Sequence, residues 1–195
     1  READNPERTK ELLAEISMAG KDCHAFVGRM LDFTKLSCFD HKPTDMNRLV
    51  LDTISLFQES SSQHANIVST LPEEGLTLDV DPILIRHALF NLLSNAAEAN
   101  AGEGEIRITL LAEAREQGHL PGWCISVRDH GPGVPDKIID KIFTPFFTTH
   151  TKGTGLGLPV VQHVAILHEG EVSVHNTDSG GACFCLWFPD TRNIE

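Results

Sequence analysis

The chain has 195 residues, 41% of them hydrophobic and 6% aromatic, which is enough for one compact core and an appendage. A formal net charge of −12 excludes binding to a nucleic-acid backbone as the main activity, so no nucleic-acid partner is expected. No apolar run approaches the roughly 20 residues of a membrane span, and the charged start READNPERTK excludes a signal peptide. We expect a cytoplasmic protein, with a membrane anchor only in a region upstream of Arg1.

The cysteines and histidines show no spacing typical of a disulfide framework or a metal site. The five cysteines are an odd number without a CxxC pair, and the ten histidines form neither HxxxH nor HExxH. Cys183 and Cys185 are expected on one face of a strand. We therefore expect no disulfide and no metal bound by cysteine or histidine.

Residues 6–36 predict one long helix, with Asn5 as the cap and Pro6 in the first turn. This heptad pattern is typical of a helix that packs against a partner helix; the alternative is a helix folded back on the core of its own domain. We place a domain boundary near residues 37–44. The apolar positions alternate at spacings of four and three: Leu12, Ile16, Ala19, Cys23, Phe26, Met30 and Phe33.

The remainder of the chain predicts helices interleaved with short strands. Thr44 is expected to cap a second helix, and Asp81 with Pro82 to begin a third. The second helix has an apolar face formed by Met46, Leu49, Val50, Thr53, Ile54 and Phe57. Strands are expected at 67–71, 76–80, 105–111, 123–128, 171–175 and 182–188, and a further helix at 158–168. The pattern favours an α+β fold, a two-layer sandwich with a sheet covered on one face by helices.

Three polar side chains, His87, Asn91 and Asn95, recur every four residues along the third helix. An asparagine amide oxygen is a hard neutral ligand of the kind that Mg²⁺ accepts. The alternative is a solvent-facing stripe on an amphipathic helix, which is common.

The segment VRDHGPGV places Asp129 at the end of an apolar strand, before Gly131 and Gly133. A fixed carboxylate accepts a hydrogen bond from an exocyclic amine such as that of adenine, and glycines let a flat ring approach the backbone. The alternative is an ordinary aspartate-containing turn.

Three glycines, Gly153, Gly155 and Gly157, precede the last predicted helix. Their unhindered backbone N–H groups and the positive helix terminus are suited to bind a polyphosphate. The segment is neither a dinucleotide-binding fingerprint nor a P-loop, because no buried strand precedes it and no GK[ST] follows.

The order of these motifs resembles the GHKL (Bergerat) ATP-binding superfamily, and within it the sensor histidine kinases. Residues 85–99 are similar to the N box, 129–133 to the G1 box, IFTPFF at 142–147 to the F box, and GTGLGL at 153–158 to the G2 box. The resemblance extends from about residue 44 to residue 189. The F box beside GTGLGL separates histidine kinases from the gyrase, chaperone and mismatch-repair relatives.

The resemblance implies a site for ATP and Mg²⁺. Asn95 would coordinate the metal, Asp129 would bind the adenine amine, and residues 134–154 would form a lid over the nucleotide. Glu98 stands where many relatives have a lysine that contacts phosphate, so the resemblance does not carry that contact over to this chain. The implied ATP-binding residues are Asn91, Asn95, Asp129, Gly131, Gly133, Val134, Phe143, Lys152, Gly153, Thr154, Gly155, Leu156, Gly157 and Leu158.

The resemblance also implies two domains and two protein partners. Residues 1–40 would be the second helix of a dimerisation and phosphotransfer hairpin, and 44–195 the catalytic ATP-binding domain. The hairpin would form a homodimer, and a response-regulator receiver domain would take the phosphoryl group from a histidine. That histidine is expected upstream of this sequence, because His24 lacks the usual acid and proline around it. The alternatives are a degenerate module that regulates a partner without phosphoryl transfer, and a GHKL serine kinase or ATPase.

Overall fold

The computed structural model describes residues 39–60, 65–101, 104–113, 121–150 and 153–190. Residues 39–195 form one compact unit, separate from residues 1–38. The long helix predicted at 6–36 and Lys152 of the predicted site lie outside the described residues.

The described residues form three α-helices, one short 3₁₀ helix and seven strands. In chain order the elements are β1 (Lys42–Asp45), α1 (Met46–Ser60), β2 (Asn66–Thr70), β3 (Thr77–Val80), α2 (Pro82–Ala99), β4 (Glu105–Glu113), β5 (Gly122–Arg128), the 3₁₀ helix (Asp136–Lys141), α3 (Gly157–Leu167), β6 (Glu171–Asn176) and β7 (Ala182–Pro189). None of these helices is both long and apolar enough to cross a lipid bilayer.

Five strands form a mixed sheet in the order β2-β4-β5-β7-β6. β2 runs parallel to β4, and the other neighbours are antiparallel. Helices α2 and α3 pack against this sheet and against each other, and α1 packs on α2. The arrangement confirms the predicted α+β sandwich with a mixed sheet. Its core includes the buried strand residues Ile106, Ile108, Leu110, Ile125, Val127 and Leu186, and the buried helix residues Leu89, Leu92, Leu93, Val161 and Val164.

The start of α1 differs from the sequence prediction. Thr44 lies in β1, and it is Asp45 whose Oδ1 accepts a hydrogen bond from the backbone N–H of Arg48, at 3.0 Å. β1 exists because it pairs with β3, and local sequence does not reveal such a distant pairing. β2 and β3 consequently belong to different sheets and do not form a hairpin. The apolar face predicted for this helix is confirmed, since all of its members are buried: Met46, Leu49, Val50, Thr53, Ile54 and Phe57.

The predicted absence of a disulfide is wrong in the structure. Cys124 on β5 is joined to Cys185 on β7, with Cα atoms 6.0 Å apart. The register of the two strands sets Cys185 opposite Ser126, so the sulfur atoms meet diagonally across neighbouring strands. The two residues are 61 positions apart in the chain, which is why their spacing gave no signal.

A buried histidine ties the end of α3 to the start of α2. The side chain of Asp81 caps α2, as predicted, by accepting from the N–H groups of Ile83 and Leu84 at 2.9 and 3.1 Å. The backbone N–H of Asp81 donates to Nε2 of His168 at 2.9 Å, and Nδ1 of His168 donates to the carbonyl of Val164 at 2.8 Å. Burial lowers the pKa of His168, which keeps the ring neutral and Nε2 an acceptor. The two helices that carry the predicted site are thereby fixed at one common end.

Candidate functional site

The stripe of His87, Asn91 and Asn95 lies half-buried along α2. Nδ2 of Asn91 donates to the carbonyl oxygen of His87 at 2.9 Å. Its Oδ1 faces the first residue of α3, because a Cβ atom at Gly157 would lie 3.1 Å from this oxygen. The side chain of Asn95, one turn further along, makes no hydrogen bond to the described part of the chain. On the N-box helix, the amide of Asn91 therefore points towards the G2 segment, and the amide of Asn95 has no hydrogen-bond partner among the described residues.

The N-terminus of α3 has no side-chain cap. Leu156 occupies the cap position and offers no side-chain hydrogen bond, and the first turn contains no acidic residue. The first N–H groups of a helix lack intrahelical partners, and the helix dipole makes this end positive. An uncapped end of this kind favours an anion such as a phosphate group. Leu156 is buried, while Thr154, Gly157 and Leu158 are half-buried around this end.

Asp129 follows β5 and is only 3% exposed. Its Oδ1 accepts two backbone hydrogen bonds, from Gly131 at 2.9 Å and from Ala182 at 3.0 Å. Oδ2 has no hydrogen-bond partner within the described residues. The carboxylate is thus fixed through one oxygen, while the other remains an acceptor for a donor group of a ligand.

The two glycines after Asp129 are required by contacts within the protein. A Cβ atom at Gly131 would lie 2.7 Å from the carbonyl oxygen of Ala99, at the end of α2. Gly133 has a φ of +77°, and a Cβ atom there would lie 2.6 Å from Oδ1 of Asn176. These close approaches explain both glycines even before any ligand is considered.

Two asparagines that the sequence interpretation missed hold this segment in place. Oδ1 of Asn100 accepts from the backbone N–H of His130 at 2.8 Å, which ties the end of α2 to the residue after Asp129. Asn176 pairs with both backbone groups of Val134: Oδ1 accepts from its N–H, and Nδ2 donates to its carbonyl, each at 2.7 Å. An asparagine at a helix end is a recognisable cap signal, but the partner of Asn100 is 30 residues away. No local sequence pattern marks Asn176 as a residue that holds this segment.

Two main-chain hydrogen bonds lie at the C-terminal end of the predicted lid. The backbone N–H of Phe146 donates to the carbonyl of Gly155 at 2.9 Å, and that of Gly153 donates to the carbonyl of His150 at 3.1 Å. Of the phenylalanines in the F box, Phe146 is 58% exposed, whereas Phe143 is half-buried. The F box and the G2 segment are therefore held together by main-chain contacts.

Substitution of Gly155 by alanine is expected to weaken ATP binding by about 10-fold. Gly155 has a φ of +65°, and its Cβ atom would lie 2.4 Å from the backbone carbon of Phe146. A left-handed backbone alone costs a residue with a Cβ atom about 1–2 kcal/mol. The affinity is measured by calorimetry with ATP and Mg²⁺. Gly75→Ala is the matched control, since nothing lies within 4 Å of a Cβ atom at that position. Equal affinities for the two variants would contradict the role of Gly155.

Residues 80–192 match the family described as "Histidine kinase-, DNA gyrase B-, and HSP90-like ATPase". The chain belongs to this family. The N box, the G1 segment, the lid and the G2 segment described above all fall inside the matched residues.

Among curated members of the family, the chain is similar to the sensor histidine kinase ZraS of Escherichia coli K12, with 34% identity over 164 residues. The match covers 84% of this chain and 34% of ZraS. The chain thus spans about a third of the length of that relative.

Solved structures of histidine kinases share the fold. The catalytic domain of ThkA has a TM-score of 0.66 and 31% identity, covering 77% of this chain and 95% of that domain. ThkA in complex with the response regulator TrrA has a TM-score of 0.73 and 26% identity, covering 98% of this chain and 54% of that one. Full-length ShkA in complex with AMPPNP has a TM-score of 0.73 and 25% identity, covering 92% and 38% of the two chains.

Proposed function

We propose that the chain is the ATP-binding catalytic part of a sensor histidine kinase. In this proposal the domain binds Mg·ATP, the γ-phosphoryl group passes to a histidine, and an aspartate of a response regulator receives it from there. Membership of the ATPase family and the similarity to ZraS support the assignment. The structure of ShkA with AMPPNP, an adenine nucleotide, supports ATP as the ligand.

The observation that carries the proposal is the approach of α2 to the uncapped start of α3. The amide oxygen of Asn91 faces Gly157, and the cap residue of α3, Leu156, makes no side-chain hydrogen bond to the helix start. Neutral amide groups beside free backbone N–H groups suit a magnesium triphosphate, since one helix offers metal ligands and the other offers phosphate donors. The open oxygen of Asp129 provides a separate acceptor for the adenine amine.

Each residue then has a role that its position permits. Asn95 is the proposed magnesium ligand, because its amide has no other hydrogen bond among the residues described. Asn91 supports the phosphates or a metal-bound water. The segment from Gly153 to Leu158 presents backbone donors, and Lys152, outside the described residues, is the proposed cation that offsets phosphate charge. Bound Mg·ATP supplies the γ-phosphoryl group, and the protein contributes position and electrostatic stabilisation.

The remaining parts of the proposal concern residues 1–40 and the partners. We propose that residues 6–36 form the second helix of a dimerisation hairpin, because of their regular heptad spacing. The acceptor histidine would then lie on a first helix, since residues 1–38 contain only His24. The complex of ThkA with TrrA supports a response regulator as the partner.

The test is autophosphorylation of a longer chain. A first helix that carries a histidine in its H-E-x-x-x-P context is added before residue 1, and the protein is incubated with γ-labelled ATP and Mg²⁺. We expect label that is lost in acid and retained in base, because a phosphorus–nitrogen bond hydrolyses in acid. Substitution of the added histidine by glutamine is the control and should remove the label.

Two results would contradict the proposal. Nucleotide binding without label in the longer chain would favour a regulatory module that does not transfer phosphate. Acid-stable label that persists in the glutamine control would favour a serine kinase of the same superfamily.

A further inference from the structure

Three side chains on adjacent strands meet on the sheet face that points away from the helices. Ile125 and Val127 of β5 are buried towards the helices, so the alternate residue Cys124 points to the opposite face. The register places Cys185 of β7 on that same face, diagonal to Cys124. Glu113 of β4 approaches from the other side, and the carboxylate and sulfur atoms all lie within 4.8 Å of one another.

One oxygen of the Glu113 carboxylate is unsatisfied in this cluster. This atom, Oε2, is buried and has no hydrogen-bond partner within the described ranges. A buried acceptor without a partner is costly, and an ionised one more so. The neighbouring disulfide has no S–H group to donate, so in the oxidised protein it does not satisfy this oxygen. A cation is the kind of group that would do so.

We propose that Glu113, Cys124 and Cys185 bind a thiophilic divalent cation of the Zn²⁺ type when the two cysteines are reduced. The two thiolates are soft donors that select Zn²⁺ over Mg²⁺ or Ca²⁺, and Zn²⁺ also accepts a carboxylate oxygen as a ligand. Three protein ligands leave a fourth position for water in a tetrahedral site. The site is distinct from the proposed nucleotide site, because the helices α2 and α3 of that site pack on the opposite face of the sheet.

The chemistry requires a change in the state of the two sulfur atoms. A dithiol or phosphine reductant gives two electrons to the disulfide and is itself oxidised, and two protons convert the sulfurs to thiols. Each thiol then loses its proton to solvent as the metal binds, because only the thiolate is a ligand. Disulfide and metal therefore exclude each other, since both use the same sulfur atoms.

Cys183 provides a matched control on the same strand. It lies two residues from Cys185, is free, and is half-buried. It is absent from the cluster of metal-ligating atoms.

The test is a titration of the nucleotide-free protein with Co²⁺, before and after reduction with a phosphine. We expect the reduced protein to show a thiolate-to-cobalt charge-transfer band in the near ultraviolet, which one equivalent of Zn²⁺ removes. The oxidised protein should show none. Cys124→Ser and Cys185→Ser should abolish the band or weaken binding at least about 100-fold, because even residues that only support a ligand contribute 10- to 100-fold. Cys183→Ser should match the parent.

Glu113→Gln tests the carboxylate by itself. It should retain the charge-transfer band, because both sulfurs remain, while the affinity for Co²⁺ falls about 10-fold or more. The proposal is overturned if the reduced parent shows no band, if the oxidised parent shows the same band, or if Cys183→Ser loses as much affinity as Cys185→Ser. Comparing the oxidised and reduced states of one unaltered chain keeps the test valid even if a serine variant fails to fold. The outcome does not depend on ATP binding.

Discussion

Replacement of Asn95 by alanine is expected to remove the part of the ATP affinity that depends on Mg²⁺. The side chain is half-buried on α2 and makes no hydrogen bond to the described residues, so its removal breaks no hydrogen bond among them. Residues that only support a metal ligand typically contribute 10- to 100-fold to affinity, so a direct ligand should contribute at least about 10-fold. Calorimetry with ATP, in Mg²⁺ and in a chelator, measures this difference.

The comparison between the two conditions gives the decisive result. The parent should bind ATP more tightly in Mg²⁺ than in the chelator, whereas Asn95→Ala should bind with the lower affinity in both. Asn66→Ala is the control, because Asn66 is an exposed residue on the edge strand β2. A variant at Asn95 that keeps the full response to Mg²⁺ would refute its role as the metal ligand.

The parts of the fold that local sequence predicted are those with local physical causes. The buried face of α1 follows from the spacing of its apolar residues, and the cap of α2 follows from Asp81 before Pro82. The position of Asp129 at a strand end was likewise visible in the sequence, since an apolar strand precedes it and glycines follow. Each of these signals lies within one turn or one strand of the residue concerned.

The parts that local sequence did not predict depend on contacts between distant segments. β1 forms only because β3 lies beside it, and Asp45 replaces Thr44 as the cap for that reason. His168 contacts the backbone of Asp81 across 87 positions, and its spacing alone marks it as one more helix residue. Asn100 similarly has its partner 30 residues away.

The candidate site depends both on local sequence motifs and on contacts between distant segments. Asn91 and Gly157 were each recognisable from their motifs, but only the packing of α2 against α3 brings them together. The bond between Asp81 and His168 fixes the opposite end of the same pair of helices. Residues that bind one ligand must be held in precise relative positions. The hydrogen bond between Asp81 and His168, although distant from Asn91 and Gly157, therefore helps to position the candidate site.

The second large effect is expected from Asp129→Asn, which should weaken ATP binding about 10- to 100-fold, since a hydrogen bond to a charged group contributes about 1.5–3 kcal/mol. The asparagine oxygen can still accept from the N–H groups of Gly131 and Ala182, so the fold should be retained. Its amide nitrogen then takes the place of Oδ2. In the variant, the adenine amine, which is itself a donor, would face the amide nitrogen instead of the carboxylate oxygen of the proposed site.

The nucleotide ITP separates this loss of recognition from damage to the fold. ITP differs from ATP in the base, where a carbonyl oxygen replaces the exocyclic amine. The carboxylate of Asp129 should repel that oxygen, whereas the amide of the variant should donate to it. We therefore expect the preference for ATP over ITP, measured by calorimetry, to fall sharply or reverse in Asp129→Asn. Equal losses for both nucleotides would mean that the substitution acts through the backbone contacts of Oδ1, and that the adenine amine is recognised elsewhere.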